Sequence, residues 1–155
     1  FGWRGYTLMR SQRANGPSLP YRTFQFDQTH ILTLVAQTIW PWGIEAGPRF
    51  RLVSGNPYTP LKKGRVFYDA DTGNYDLDLT GVATNSGRMP TFHQLDLRID
   101  KAFTFDLWKF TTYIEILNLY NQRNVEQYSY DFRYDRRTPI TFLPIIPVIG
   151  VQGEF

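Results

Sequence analysis

Hydrophobic and polar positions alternate with a period of two in several stretches of this chain. Over Gly43–Val53, Ile44, Ala46, Phe50 and Leu52 share one parity, while Glu45, Arg49 and Arg51 share the other. Residues two apart in an extended strand lie on one face, so the pattern predicts a strand with one apolar and one charged side. Phe92–Phe105 repeats it, with Leu95, Leu97, Ile99, Phe103 and Phe105 set against Asp96, Arg98 and Asp100. Lys109–Tyr120 sets Phe110, Thr112, Ile114 and Ile116 against Tyr113 and Glu115. Three further strands are predicted over Gly2–Arg13, Phe26–Ile39 and Ile146–Phe155, the last with Ile149, Val151 and Phe155 on one parity. The 10 Pro and 12 Gly are spread along the sequence and argue against long helices. The fold class is therefore all-β and antiparallel, with about six strands.

The connections sort by length. The joins at 40–43 and 106–108 are tight, whereas those at 14–25, 54–91 and 121–145 are long. Strands of about ten residues with short turns on one rim and long loops on the other match an outer-membrane β-barrel. A soluble sandwich has no reason to sort its loops in this way. No apolar run is long enough to cross a bilayer as a helix, so any membrane crossing must use strands. Six strands cannot close, because about eight make the smallest barrel with a fillable interior. Closure would need other strands, or hairpins within 64–80 and 126–142 that would make a small self-contained or oligomeric barrel of porin or adhesion type. The remaining alternative is a soluble carbohydrate-binding β-sandwich.

Composition narrows the classes. Aromatic residues make up 17% of the 155, with 10 Tyr, 12 Phe and 4 Trp. Such enrichment suits the interface girdles of a membrane barrel and also suits sugar-binding sandwiches. Trp40 and Trp42 are expected at the rim of the tight turns, with Trp3 and Trp108 near the same rim. A net charge of +3, evenly scattered, excludes a nucleic-acid footprint. The absence of cysteine excludes a disulfide scaffold and thiolate metal sites. Phe1-Gly2-Trp3-Arg4 does not read as a secretory leader, so the expectation is either a soluble chain or one whose natural N-terminus has been removed or lies on another segment.

Few residues point to chemistry. Asp69, Asp71, Asp76 and Asp78 put four carboxylates in the longest loop and form a weak Ca²⁺ candidate, but the EF-hand spacing is not met. The bland reading is a solvated turn around Asp71-Thr72-Gly73. Glu45, Arg49, Arg51, Asp96, Arg98, Asp100 and Glu115 share the charged faces of three strands and are expected to line a wet interior. If those strands are antiparallel neighbours, opposite charges should face each other across the ladder. His30 and His93 have no ligand spacing, and Ser54 lies in no nucleophile elbow. Tyr128, Tyr130, Phe132 and Tyr134 alternate in the last long loop and predict a hairpin or a stacking surface. Nothing here reads as an enzyme, and no cofactor is expected.

Five segments, in order, resemble the C-terminal part of a TonB-dependent outer-membrane receptor. They are Phe26-Asp27-Gln28-Thr29-His30, Ser54-Gly55-Asn56-Pro57-Tyr58-Thr59-Pro60, Arg88 to Arg98, Asn118-Leu119-Tyr120-Asn121, and Gly150 to Phe155. The resemblance spans nearly the whole chain, with Gly153 departing from the usual terminal signature. It implies that residues 1–155 are the last strands of a larger barrel, 22-stranded in that family. The plug domain and the earlier strands are absent from this chain. It further implies nutrient uptake across the outer membrane of a Gram-negative bacterium. The implied partners are the remaining strands and plug, lipid and lipopolysaccharide, and the barrel-assembly machinery. That machinery would read Ile149, Val151 and Phe155 as an assembly signal.

Overall fold

The computed structural model describes residues 1–61 and 66–155. Six strands run in sequence order across one antiparallel sheet: β1 (Gly2–Leu8), β2 (His30–Ala36), β3 (Ile44–Val53), β4 (Phe92–Thr104), β5 (Lys109–Leu117) and β6 (Ile146–Glu154). A seventh piece, Thr38–Trp40, also pairs with β3 and carries the line of β2 onward. All pairings are antiparallel, as the alternation predicted. The sheet is open, with β1 and β6 as its edges among the described residues.

The breaks between strands have local causes. Ser54 N–H donates to the His30 carbonyl at 2.9 Å, so β3 residues of that parity turn their main chain toward β2. Pro48 has the same parity and no N–H to give. Val35 pairs with Arg49, which sets Pro48 opposite Ala36, and there the ladder lapses and β2 ends. Gln37 stays tied through its N–H to the Phe1 carbonyl at 2.7 Å. The expected strand over Phe26–Ile39 thus starts only at His30 and divides at Gln37. The turn at Pro41–Gly43 reverses the chain with Trp42 at φ 68° and Gly43 at φ 71°. β5 stops before Asn118, which adopts φ 56°. The first predicted strand is likewise shorter than Gly2–Arg13, with Gln12–Arg13 leaving the sheet to pair with Arg22–Thr23.

Register aligns the two parities across the whole sheet. Leu34, Phe50 and Leu95 lie in one row, and Ile99, Ile114 and Ile149 in another, on the apolar face. Val35, Arg49 and Asp96 form a row on the opposite face, as do Asp100, Tyr113 and Gly150. The apolar face is not packed on a second layer: Ile114 is 51% and Ile149 77% exposed. Val53, at 3%, is the one buried hydrophobic among the described residues. Full burial of an aliphatic side chain is worth about 1.5–3 kcal/mol, and this face leaves that gain unrealised.

The long connections carry small hairpins that stay outside the sheet. Val66–Asp69 pairs with Asn74–Leu77, Val125–Tyr130 with Arg137–Thr141, and Pro57–Tyr58 with Gly87–Arg88. The hairpin expected over 126–142 forms and pairs with itself, while the one at 64–80 begins outside the described residues. Trp3 stands near the turn end of β1, where the Gln37 N–H reaches the Phe1 carbonyl, and its pairing with Val35 puts it on the charged face. Side-chain parity in β1 decides which face its indole takes.

Two glycines are dictated by close approach. A Cβ on Gly55 would lie 1.9 Å from the Met89 carbonyl oxygen, and one on Gly150 would lie 2.3 Å from the Tyr113 ring. Gly55→Ala is expected to cost about 2–3 kcal/mol by overpacking against main chain. Gly16→Ala meets only Leu19 at 3.7 Å and should shift stability by less than about 0.5 kcal/mol. Chemical denaturation of the two variants side by side checks the pair; equal midpoints would contradict the close approach.

Candidate functional site

The long loops gather at one end of the sheet, where the buried polar groups also lie. Asp27, 2% exposed, sits in the turn before β2. Its carboxylate accepts the Ser11 N–H at 2.5 Å, the Thr29 hydroxyl at 3.2 Å and a close ion pair from Arg88. The same guanidinium donates to the Asp27 carbonyl at 2.8 Å and to the Gly55 carbonyl at 3.2 Å. One side chain therefore ties together the bases of the first two long loops. Burial raises the Asp27 carboxyl pKa, but the Ser11 N–H, Arg88 and Thr29 outweigh it and hold the group below 3.8.

A second knot joins the third long loop to β4. Asp96, 4% exposed, accepts from Arg49 Nε and Nη2 at 3.1 and 2.8 Å, from Gln94 at 2.6 Å and from the Asn118 N–H at 3.0 Å. The Asn118 amide then donates to the carbonyls of Gln122 and Leu143 and accepts the Gln122 N–H at 2.8 Å. Asn124 pairs with both main-chain groups of His93, at 3.0 and 2.9 Å. Asn121 accepts the Ile145 N–H at 3.1 Å. These asparagines replace ladder bonds where the chain leaves the sheet, and buried polar groups need such partners. A cavity of about 290 Å³ lies between this knot and the charged face, with Arg51, Gln94, Phe92, Glu126 and Phe142 in its wall.

The charged residues named from the sequence do share one face. Arg49 meets Asp96 across the ladder, and Arg98 pairs with Glu115 in register. The expected alternation of sign fails at one pair: Glu45 stands directly opposite Asp100. Each carboxylate turns to another partner, Glu45 to Gln37 at 2.7 Å and Asp100 to Arg98 at 2.7 Å along the same strand. Arg98 also lies 3.9 Å from the centre of the Tyr113 ring, which covers Gly150. Arg51 lies over Phe92 at 5.7 Å.

The calcium reading is not supported by geometry. Asp69 accepts from the Asp71 N–H and the Thr72 hydroxyl at 3.0 Å each, Asp76 from the Leu77 N–H at 2.9 Å, and Asp78 from the Thr80 N–H at 2.9 Å. The Asp71 N–H foremost, then Thr72, holds the Asp69 carboxyl below its ordinary pKa. No group of three or more such residues converges among the described residues. Asx-turn chemistry has taken the carboxylates, one by one, into the loop's own turns.

Aromatic rings mark both ends of the apolar face. At the loop end, Tyr6 hydrogen-bonds His30 and Tyr120 hydrogen-bonds His93, both at 2.8 Å. At the turn end, Phe105 stacks on Trp108 with centroids 4.3 Å apart, beside Phe103 and Phe110, and Trp40 pairs with Ile44 at the same end of the sheet. Above the loop end, Tyr58 and Tyr128 pack at 5.6 Å, and Tyr75 and Phe132 at 5.4 Å, joining the second and third long loops. Tyr128 and Tyr130 lie on the hairpin predicted from their alternation.

Sequence reasoning did not assign roles to Asp27, Arg88, Asn121 or Asn124. A buried Asp or Asn in a loop leaves no periodic signal, although a carboxylate before a strand and asparagines in a turn suggest caps. Comparison with protein-family models, curated proteins and solved structures returns no match, so the functional reading rests on the geometry above.

Arg88→Ala leaves the Asp27 carboxylate buried without its cation and is expected to cost about 3–5 kcal/mol. Because the folded pKa of Asp27 is depressed, its contribution is complete above the ordinary carboxylate pKa. It is lost as pH falls below 3.8 and through the folded value. Limited proteolysis of the 14–25 loop with an acid-active protease should therefore accelerate over that acid window, and Asp27→Asn should flatten the dependence. A rate independent of pH in the parent protein would contradict this role of Asp27.

Proposed function

We propose that this chain is a wall of an outer-membrane β-barrel: the C-terminal barrel segment of a TonB-dependent receptor that takes up a nutrient. The observation that carries the proposal is the exposed apolar face from β2 to β6, edged by aromatic rings at both ends and interrupted by charge only at Lys101 beside the tight turns, with Arg4 of the outer strand β1 on the same side. From His93 to Phe103, β4 spans about 33 Å at ordinary strand rise. Tilted by about 40°, that span covers about 25 Å, the height of the apolar band of such barrels. Water makes this face costly, whereas lipid covers it without a second protein layer.

On this reading, Glu45, Arg49, Arg51, Asp96, Arg98, Asp100 and Glu115 face a wet lumen occupied by a plug. The long loops face the medium, and the tight turns with Trp40, Trp42 and Trp108 face the periplasm. Tyr6–His30 and His93–Tyr120 lie at the outer interface, where an aromatic body with a polar tip is favoured. Bare N–H and C=O groups in lipid cost several kcal/mol each, so the edges of β1 and β6 require partner strands from the rest of the receptor. The barrel-assembly machinery would meet Ile149, Val151 and Phe155 on the open face of β6. The hairpins above the sheet pair only with themselves among the described residues, which weighs against a small self-contained barrel. The unpacked apolar face weighs against a soluble sandwich.

The native protein carrying this chain should sediment with outer membranes and show heat-modifiable gel mobility. Ile114→Arg places a cation on the proposed lipid face and should destabilise the barrel by about 2–4 kcal/mol. Its amount in the outer membrane should fall accordingly. A soluble protein of unchanged mobility, indifferent to Ile114→Arg, would overturn the proposal.

A further inference from the structure

The two largest loop hairpins meet around a hollow of about 530 Å³. Its wall is Asn74 and Tyr75 from one hairpin, with Tyr130, Asp131, Phe132 and Tyr134 from the other. That volume falls within the ~300–1,000 Å³ usual for small-ligand sites. Two aromatic pairs frame it. Tyr75 and Phe132 meet edge to face at 88°, and Tyr130 and Tyr134 are tilted by 37° with centroids 6.1 Å apart.

The hairpin turn holds these rings at a conformational cost. Tyr134 adopts φ 54°, a left-handed conformation that a bulky residue rarely takes. It is fixed there by its N–H bond to the Asp131 carbonyl at 3.0 Å. Asp131 Oδ1 accepts the N–H of Asp135 at 2.8 Å and of Arg136 at 3.3 Å, which pins the turn. Strained backbone of this kind persists where the surroundings over-determine it, and such positions cluster at ligand sites.

The chemistry of the wall selects among ligands. Among the described residues it offers aromatic faces, phenol hydroxyls, one carboxamide and one carboxylate, and no cation lines it. The Arg133 and Arg137 guanidiniums lie over the Tyr75 and Tyr128 rings, 5.9 and 4.6 Å from their centres. An anionic chelate would meet the Asp131 carboxylate in the wall itself, while the guanidinium beside it is engaged with the Tyr75 ring. A neutral sugar fits the same set. Its C–H faces stack on the rings, and its hydroxyls pair with Asn74, Asp131 and the phenols.

We infer that the hollow between the two hairpins is a subsite for a neutral saccharide, formed by Tyr75, Phe132, Tyr130 and Tyr134. This deepens the receptor reading, and rests on it for the hollow facing the medium, where a sugar-bearing nutrient would first be held. The test uses the full receptor extracted in detergent, titrated calorimetrically with maltohexaose, cellohexaose, laminarihexaose and xylohexaose, and with a ferric catecholate as the anionic counter-probe.

At least one of the neutral oligosaccharides should bind. Tyr75→Ala and Tyr134→Ala should each weaken that binding by about tenfold, the order expected for one lost stacking ring. Tyr134→Phe should retain most of it, and heat-modifiable mobility should be unchanged in every variant. No binding of any neutral oligosaccharide at millimolar concentration, or binding indifferent to both alanine variants, would overturn the assignment. So would tighter binding of the ferric catecholate at the same tyrosines. Sugar binding by a protein that is soluble and not heat-modifiable would keep the subsite and sink the receptor reading.

Discussion

Main-chain hydrogen bonding between neighbouring strands is the constraint on which this structure depends. One hydrophobic side chain, Val53, is buried among the described residues, so no apolar core can hold the chain together. What remains continuous is the ladder from β1 to β6. Where the long loops leave it, side chains supply the missing partners. Asn118, Asn121 and Asn124 serve where β5 gives way to the third long loop. Asp27 and Arg88 serve where the first and second long loops meet the sheet. The lapse at Pro48 shows the converse, since one missing N–H is enough to divide β2 from Thr38–Trp40.

A sheet held in this way can afford two unlike faces. The charged face is screened by its own pairings, with Asp96 collecting donors from Arg49, Gln94 and Asn118. The apolar face has no such cover. Its middle is aliphatic and its two ends are aromatic, an order that follows the polarity profile of a bilayer from core to interface. The lipid reading and the need for further strands come from the same physics. On that reading lipid would solvate the side chains of this face but would offer nothing to the bare edges of β1 and β6.

Much of this was legible in the alternation. The parities of Gly43–Val53, Phe92–Phe105 and Lys109–Tyr120 gave the sheet its order and its faces, because a period of two is fixed by strand geometry. Ends were less legible. The strand expected from Phe26 starts at His30 because Asp27 turns inward to Arg88, a partner 61 residues away that no local pattern reveals. For Trp3 the position in the chain indicated an end of the sheet, and register with Val35 adds that it is on the charged face. The four loop aspartates looked alike in sequence, yet Asp69, Asp76 and Asp78 each accept a main-chain N–H of their own turn. The contact of Tyr75 with Phe132 joins two loops and follows from tertiary structure alone.

The central claim is that the apolar face meets lipid and the charged face meets water. Spin labels placed singly at each position from Phe110 to Ile116 in the native protein, reconstituted in lipid vesicles, test it most directly. Labels at Phe110, Thr112, Ile114 and Ile116 should collide with dissolved oxygen and be shielded from a water-soluble nickel chelate. Labels at Thr111, Tyr113 and Glu115 should be shielded from oxygen, giving a period of two along β5. Equal accessibility of both parities, or nickel access at Ile114, would contradict the account.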